Sequence, residues 1–345
     1  MHRCLHLAQL GLGNTAPNPM VGALLVYKDR VIGEGYHRQY GQAHAEVNCI
    51  NSVSIDDKQL IPESTLYVSL EPCAHFGKTP PCTNLIIGNK IPNVIIGCKD
   101  SFAGVDGKGI EKLKNAGINV IIGVLEKECL DLNKRFFTFH GLKRPYIILK
   151  WAQSNEGKIA AVDSLRTFIS NELTNRRVHK WRSKEAAIMI GTNTALKDDP
   201  ALTTRLWPGK NPLRLVIDKE LKLPENLKLF DGSAETIVFN YLKTASEGNV
   251  HHLKLNRGEN ILKQVLAILY QKEIQSLFVE GGTKLLQSFI DESLWDEARI
   301  ICNAQLSIKE GLEAPVLKNN TLLAEEKTGT DVISYFTNGA NRNTE

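Results

Sequence analysis

Four side chains of this sequence have to meet at one point, and that requirement constrains the fold more than any other feature. They are His44 and Glu46 in Gly41-Gln42-Ala43-His44-Ala45-Glu46, and Cys73 and Cys82 in Leu70-Glu71-Pro72-Cys73-Ala74-His75-Phe76-Gly77-Lys78-Thr79-Pro80-Pro81-Cys82. Zinc takes nitrogen and sulfur ligands tetrahedrally, and a reactive centre uses three protein ligands with the fourth position open to water. His44, Cys73 and Cys82 supply such a set. Glu46 is too close in chain to His44 for a comfortable fourth ligand, but it is well placed to exchange a proton with that water. The competing readings are buried structural thiols, a surface histidine and an ordinary acid at a helix N-terminus. The coincidence of four residue types and the fixed offset of Glu46 weigh against them.

The surrounding pattern supplies elements to carry these groups. Residues 2–12 predict a helix, with Leu5, Ala8, Gln9 and Leu12 at helical spacing and Gly11 and Gly13 ending it. Two prolines make Ala16-Pro17-Asn18-Pro19 a rigid loop. Residues 23–27 and 31–35 predict a hairpin. His44 starts a helix to about Val53, residues 65–70 form a buried strand delivering Cys73, and Pro81-Cys82 opens another helix, with proline suited to the first turn. Helix N-termini at both ends of the ligand set favour thiolate. Strands over 94–97 and 118–122, a helix over 109–116 and a single closing helix over 125–139 complete a layered α/β domain.

A Gly, a basic pair and a Pro in residues 139–145 mark a boundary. Beyond it, strands are predicted over 146–151, 187–191, 213–218, 236–240, 277–280, 298–302 and 332–336. Helices are predicted over 174–182, 260–270 and 284–289, and the polar tail 338–345 is expected to fray. No Gly-x-Gly-x-x-Gly occurs, so an ordinary Rossmann fingerprint is not supported. Gly281-Gly282, between strand and helix, is the local substitute: glycine lets backbone approach a ligand, and a helix N-terminus suits phosphate. A plain turn is the competing reading.

The length of 345 residues predicts two domains. A net charge of +4 permits an anionic substrate without demanding nucleic acid, and no Lys/Arg run resembles a nucleic-acid arm. No apolar stretch approaches the roughly 18 residues a membrane span needs. Residues 1–4 run into an amphipathic helix, not an apolar signal core. The seven cysteines are an odd number, and a reducing cytoplasm is expected, with thiols free or on metal. Cys4, Cys49, Cys98, Cys129 and Cys302 lack ligand spacing, and most of them are expected to be small buried apolar residues.

In zinc deaminases of nucleobases, a non-ligating Glu follows the His, and the cysteines are usually spaced Cys-x-x-Cys. Here the longer insert Ala74–Pro81 separates them. With His44-Ala45-Glu46 and Glu71-Pro72-Cys73, this resembles the deaminase half of the bifunctional riboflavin-biosynthesis diaminohydroxyphosphoribosylaminopyrimidine deaminase / 5-amino-6-(5-phosphoribosylamino)uracil reductase family. Gly191-Thr192-Asn193-Thr194-Ala195-Leu196-Lys197-Asp198-Asp199-Pro200-Ala201-Leu202-Thr203-Thr204-Arg205, Leu149-Lys150 and Val279-Glu280-Gly281-Gly282 resemble its reductase half, in the right order.

The resemblance implies a cytidine-deaminase-like α/β/α domain over 1–142 and a dihydrofolate-reductase-like α/β domain over 143–345. It implies zinc on His44, Cys73 and Cys82, with Glu46 catalytic. A zinc-activated water would deaminate 2,5-diamino-6-(ribosylamino)pyrimidin-4-one 5′-phosphate, and NADPH would then reduce the ribose to a ribityl chain. NADPH contacts are implied at Ala152, Phe168, Thr194, Asp198, Gly282, Thr283, Lys284, Leu285, Leu286, Gln287 and Ser288. Substrate contacts are implied at Asn18, His75, Lys78, Arg166, Arg182, Leu202, Arg205 and Glu280. Guanidinium matches phosphate oxygens, so Arg182 and Arg205 read as a phosphate clamp, against the alternative of surface cations. Asn18 could equally be a turn residue, and His75 and Lys78 part of a solvated loop. Phe168 stands where many members have Trp, and Arg166 where many have Ser. No residue reads as an obvious proton donor for the reduction. The expected partner is a small molecule, not nucleic acid or membrane, and a homo-oligomer is expected. The alternatives weighed are a nucleotide or RNA-base zinc deaminase with an unrelated appended domain, and a zinc-stabilised binding module without catalysis.

Overall fold

The computed structural model describes residues 1–76, 80–100, 107–162 and 167–339. Lys78, Arg166 and most of the polar tail lie outside them. The chain divides into two compact units, Met1–Lys143 and Arg144–Glu345.

In the first unit, α1 (His2–Gln9) precedes a hairpin of β1 (Gly22–Tyr27) and β2 (Arg30–Tyr36). There follow α2 (Ala45–Asn51), a 3-10 stretch (Ile55–Glu63), β3 (Thr65–Leu70), α3 (Cys82–Gly88), β4 (Asn93–Cys98), α4 (Lys108–Asn115), β5 (Asn119–Ile122), α5 (Glu126–Leu132) and α6 (Lys134–Leu142). The sheet order is β2-β1-β3-β4-β5, antiparallel across β1 and parallel from β3 to β5. Ala23, Leu25, Leu66, Val68, Val94 and Ile96 bury one face beneath Cys49, Ile86 and Leu113 of α2, α3 and α4. On the other face, Leu5 of α1 and Cys129 of α5 pack with Leu70 and Cys98. The result is three layers, as a two-faced apolar sheet requires.

Two expectations fail here. The first helix ends at Gln9, and the single closing helix is two. Asn133 breaks it: its amide accepts from the Met20 N–H at 2.8 Å and donates to the Met20 carbonyl at 2.9 Å. That exchange with distant backbone competes with helix continuation, as Asn side chains commonly do.

The second unit contains β6 (Tyr146–Ser154), β7 (Lys158–Ala161), α7 (Glu172–Arg182), β8 (Ala187–Gly191), α8 (Thr192–Asp198), β9 (Leu213–Ile217), β10 (Thr236–Asn240), β11 (Ala245–Glu247), β12 (Val250–Lys254) and α9 (Ile261–Gln271). It continues with β13 (Ser276–Val279), α10 (Thr283–Asp291), β14 (Glu297–Asn303), β15 (Gly311–Glu313), β16 (Asn320–Thr328) and β17 (Asp331–Asn338). Among the described residues the main sheet has ten strands, ordered β11-β12-β10-β9-β8-β13-β6-β14-β17-β16. The run from β12 to β14 is parallel.

Alternation along these strands feeds two cores. Ile147, Leu149, Ala187, Met189, Leu277 and Val279 pack with α9 and α10, while Ile148, Ile188, Ile190 and Phe278 pack with α7. Burial on both faces explains why these strands read as continuous apolar runs. The pattern missed α8 and the peripheral strands β7, β11, β12, β15 and β16; β16 is exposed along nearly its whole length.

Candidate active site

The first site forms where α2, α3 and the end of β3 meet. His44 is the N-cap of α2 rather than its first helical residue, and Pro81 likewise caps α3. Gly33 and Gly35 let α2 sit directly on β2: a Cβ at Gly35 would lie 2.2 Å from the Cys49 nitrogen. Nδ1 of His44 is 3.3 Å from Sγ of Cys82 and 3.7 Å from Sγ of Cys73. The three donor atoms all lie within 4.8 Å of one another. The Cys82 N–H donates to the Cys73 sulfur at 3.3 Å.

Hydrogen bonding from Cys82, with His44 adding to it, outweighs burial and lowers the Cys73 thiol; the same bond, with burial, raises Cys82. The contact with Cys73 raises His44. Glu46 is buried, and that burial pushes its carboxyl up, although it hydrogen-bonds the Cys82 thiol.

Asn18 reaches this centre through His37. Its Nδ2 is 3.2 Å from Nε2 of His37, whose ring meets the His44 ring edge-on at 5.4 Å. His75 is exposed, and Lys78 lies outside the described residues. Sequence reasoning passed over Glu71, whose buried carboxylate gathers four backbone N–H groups. The other cysteines are as expected, buried at Cys4, Cys49, Cys98 and Cys129 and half-buried at Cys302.

In the second unit, parallel strands β8 and β13 end side by side and lead into α8 and α10. There the Gly282 N–H donates to Thr194 Oγ1 at 2.9 Å. Glu280, at the end of β13, takes both Nε and Nη2 of Arg182, at 2.6 and 2.9 Å. Nζ of Lys150 is 3.5 Å from the same carboxylate. Burial alone would raise Glu280, but Arg182 and Lys150 hold it at about 2. Burial in turn lowers Lys150. His179 is held at about 4 by burial and by the charges of Arg182 and Arg205.

Of the two arginines expected to form a clamp, Arg182 donates to Glu280 and, at 3.2 Å, to the Thr203 carbonyl. Arg205 lines an open pocket of about 500 Å³ with Thr203, Thr204, Trp207, Asn211 and Ser233. Leu202 is buried, with φ of 54°. Ala152 lies on β6 and Asp198 ends α8, whereas Phe168 is 74% exposed. Along α10, Lys284 is exposed and Leu285 partly buried, while Leu286 belongs to the core. Thr283, Gln287 and Ser288 make hydrogen bonds within the protein. Lys150 was overlooked because its partners come from other elements.

Known proteins share this architecture. The cytidine and deoxycytidylate deaminase zinc-binding region matches residues 1–98, and the RibD C-terminal domain matches residues 145–306. Riboflavin biosynthesis protein RibD of Aquifex aeolicus is 40% identical over 353 residues, covering 97% of each chain. A Thermotoga maritima crystal structure, described as a diaminohydroxyphosphoribosylaminopyrimidine deaminase/5-amino-6-(5-phosphoribosylamino)uracil reductase, superposes with a TM-score of 0.89. It is 35% identical and covers 98% of this chain and 97% of its own. Acinetobacter baumannii RibD superposes with a TM-score of 0.86 at 29% identity, covering 97% of both chains. With a zinc-binding deaminase region carrying the His-Cys-Cys group and a RibD C-terminal domain after it, the chain belongs to the RibD family of bifunctional deaminase/reductases of riboflavin biosynthesis.

Proposed function

We propose that residues 1–142 deaminate 2,5-diamino-6-(ribosylamino)pyrimidin-4-one 5′-phosphate and that residues 143–345 reduce the ribose of the product with NADPH. The observation that carries the reading is the convergence of His44, Cys73 and Cys82 beside buried Glu46. One nitrogen and two sulfurs at this spacing fit zinc. Bound there, zinc supplies a Lewis acid that makes water nucleophilic near neutral pH. Glu46 would take the water proton and hand it to a pyrimidine ring nitrogen. Asn18, steadied by His37, contacts the base. His75 and Lys78 serve the phosphate.

The second site fits a nicotinamide cofactor. Gly281 and Gly282 keep the end of β13 free of side chains, and a Cβ at Gly282 would stand 3.1 Å from Thr194 Oγ1. Open α/β sheets bind ligands at such carboxyl strand ends. NADPH supplies the hydride for ribose C1′. Ala152, Phe168, Thr194, Asp198 and the α10 N-terminus form its side of the site. Arg205, with Arg166, takes the substrate phosphate, while Arg182 holds Glu280 in place and Leu202 closes the loop beside them. Lys150, a buried cation beside Glu280, is the proton donor that the sequence did not reveal.

No helix among the described residues is long and apolar enough to cross a membrane, and all seven cysteines are free. We propose a cytoplasmic enzyme acting on a small molecule. We expect a homo-oligomer, which sedimentation in solution tests. The central experiment adds the diaminopyrimidinone phosphate with and without NADPH, following ammonia and nicotinamide absorbance. Ammonia release without NADPH, then NADPH consumption, is expected; release of no ammonia from a zinc-loaded chain overturns the reading.

A further inference from the structure

Glu71 precedes Pro72-Cys73, and none of the chemistry above uses it. Its side chain is buried. One carboxylate oxygen, Oε2, accepts from the backbone N–H groups of Asp100 at 3.3 Å and Gly107 at 3.1 Å. The other, Oε1, accepts from Gly109 at 3.0 Å and Ile110 at 3.2 Å. The last two belong to the first turn of α4, where N–H groups lack intrahelical partners and the dipole favours an anion.

A second contact joins the same helix to the ligand loop. A Cβ at Gly109 would lie 2.0 Å from the Pro72 carbonyl oxygen, so α4 backbone rests against the peptide that leads into Cys73. From α3, the N–H and the hydroxyl of Thr83 both donate to the Cys73 carbonyl at 3.2 Å. Cys73 is thus braced by two helices, and Glu71 fastens one of them.

We propose that Glu71 is a positioning residue for the metal centre, locking the start of α4 against Pro72 and thereby fixing where the Cys73 sulfur stands. The inference rests on the zinc reading of His44, Cys73 and Cys82. Glutamine fills the same space but turns an NH₂ group, a donor, towards amides that need an acceptor. Outer partners of metal ligands typically contribute about 10–100-fold in metal affinity or activity.

The test uses the full chain loaded with zinc, and a second sample loaded with Co²⁺. Zinc release to excess chelator is timed in wild type, Glu71→Gln, Glu71→Asp and Gly109→Ala. Cobalt d–d absorption reports ligand geometry, and cooperative thermal unfolding identifies the folded variants. Release about 10–100-fold faster, with shifted cobalt bands and unchanged NADPH-dependent reduction, is expected. Wild-type release and wild-type bands in any folded variant overturn the proposal. A wild-type chain that takes up no zinc overturns the metal reading itself, and this inference with it.

Discussion

Nδ1 of His44 stands 3.3 Å from Sγ of Cys82, although 38 residues separate them in the chain. The contact pairs the cap of one helix with the first residue of another. Cys82→Ser is expected to remove stoichiometric zinc and ammonia release together while NADPH-dependent reduction persists. Metal analysis on the purified variant checks this, and retained zinc with full deamination would count against the ligand set.

Glu46 is assigned a proton and not a metal bond. Glu46→Gln is therefore expected to keep zinc but lose about 10²–10⁴-fold in deamination rate, the usual scale of positioned acid–base help. Ammonia release at the wild-type rate would remove Glu46 from the mechanism.

Gly35 allows α2 to carry His44 and Glu46 close to the sheet. Gly35→Ala puts a methyl group where the Cys49 nitrogen lies 2.2 Å away. It is expected to cost about 1–3 kcal/mol, as overpacking does, with deamination losing more than reduction. Denaturant unfolding and the two activity assays, run on one sample, check both parts.

Glu280 is a buried anion between Arg182 and Lys150. Glu280→Gln leaves two cations without their partner, and loss of about 3–5 kcal/mol is expected. The pH dependence has a definite sign. The folded carboxyl is held at about 2 against an ordinary 4.5, so its stabilisation is present above 4.5 and is lost as pH falls towards 2. The stability gap between wild type and variant should shrink over that window in a denaturation series; a gap independent of pH would contradict the pairing.

Arg182 and Arg205 should separate by assay. Arg182→Met is expected to lower the unfolding midpoint because it strands Glu280, whereas Arg205→Met should chiefly raise KM for the phosphorylated substrate. Equal effects on stability would mean that the two guanidinium groups share one role.

Residue identity and pattern marked out the class of fold and the candidate ligand set. Zinc dictates its donor types, so His44, Cys73, Cys82 and neighbouring Glu46 were legible from residue identity and local spacing. Strands buried on both faces, such as Ala187–Gly191 and Thr236–Asn240, announced themselves as apolar runs. Peripheral strands did not, because β16 is exposed and carries no core-facing pattern. The pairings came only with folding. Asn133 breaks a helix through Met20, 113 residues away; Arg182 finds Glu280 across 98 residues; and Glu71 is satisfied by backbone amides that carry no side-chain signature. Local pattern records which face of an element is apolar, whereas the partner of a buried charge is chosen only when the folded chain brings distant groups out of water together.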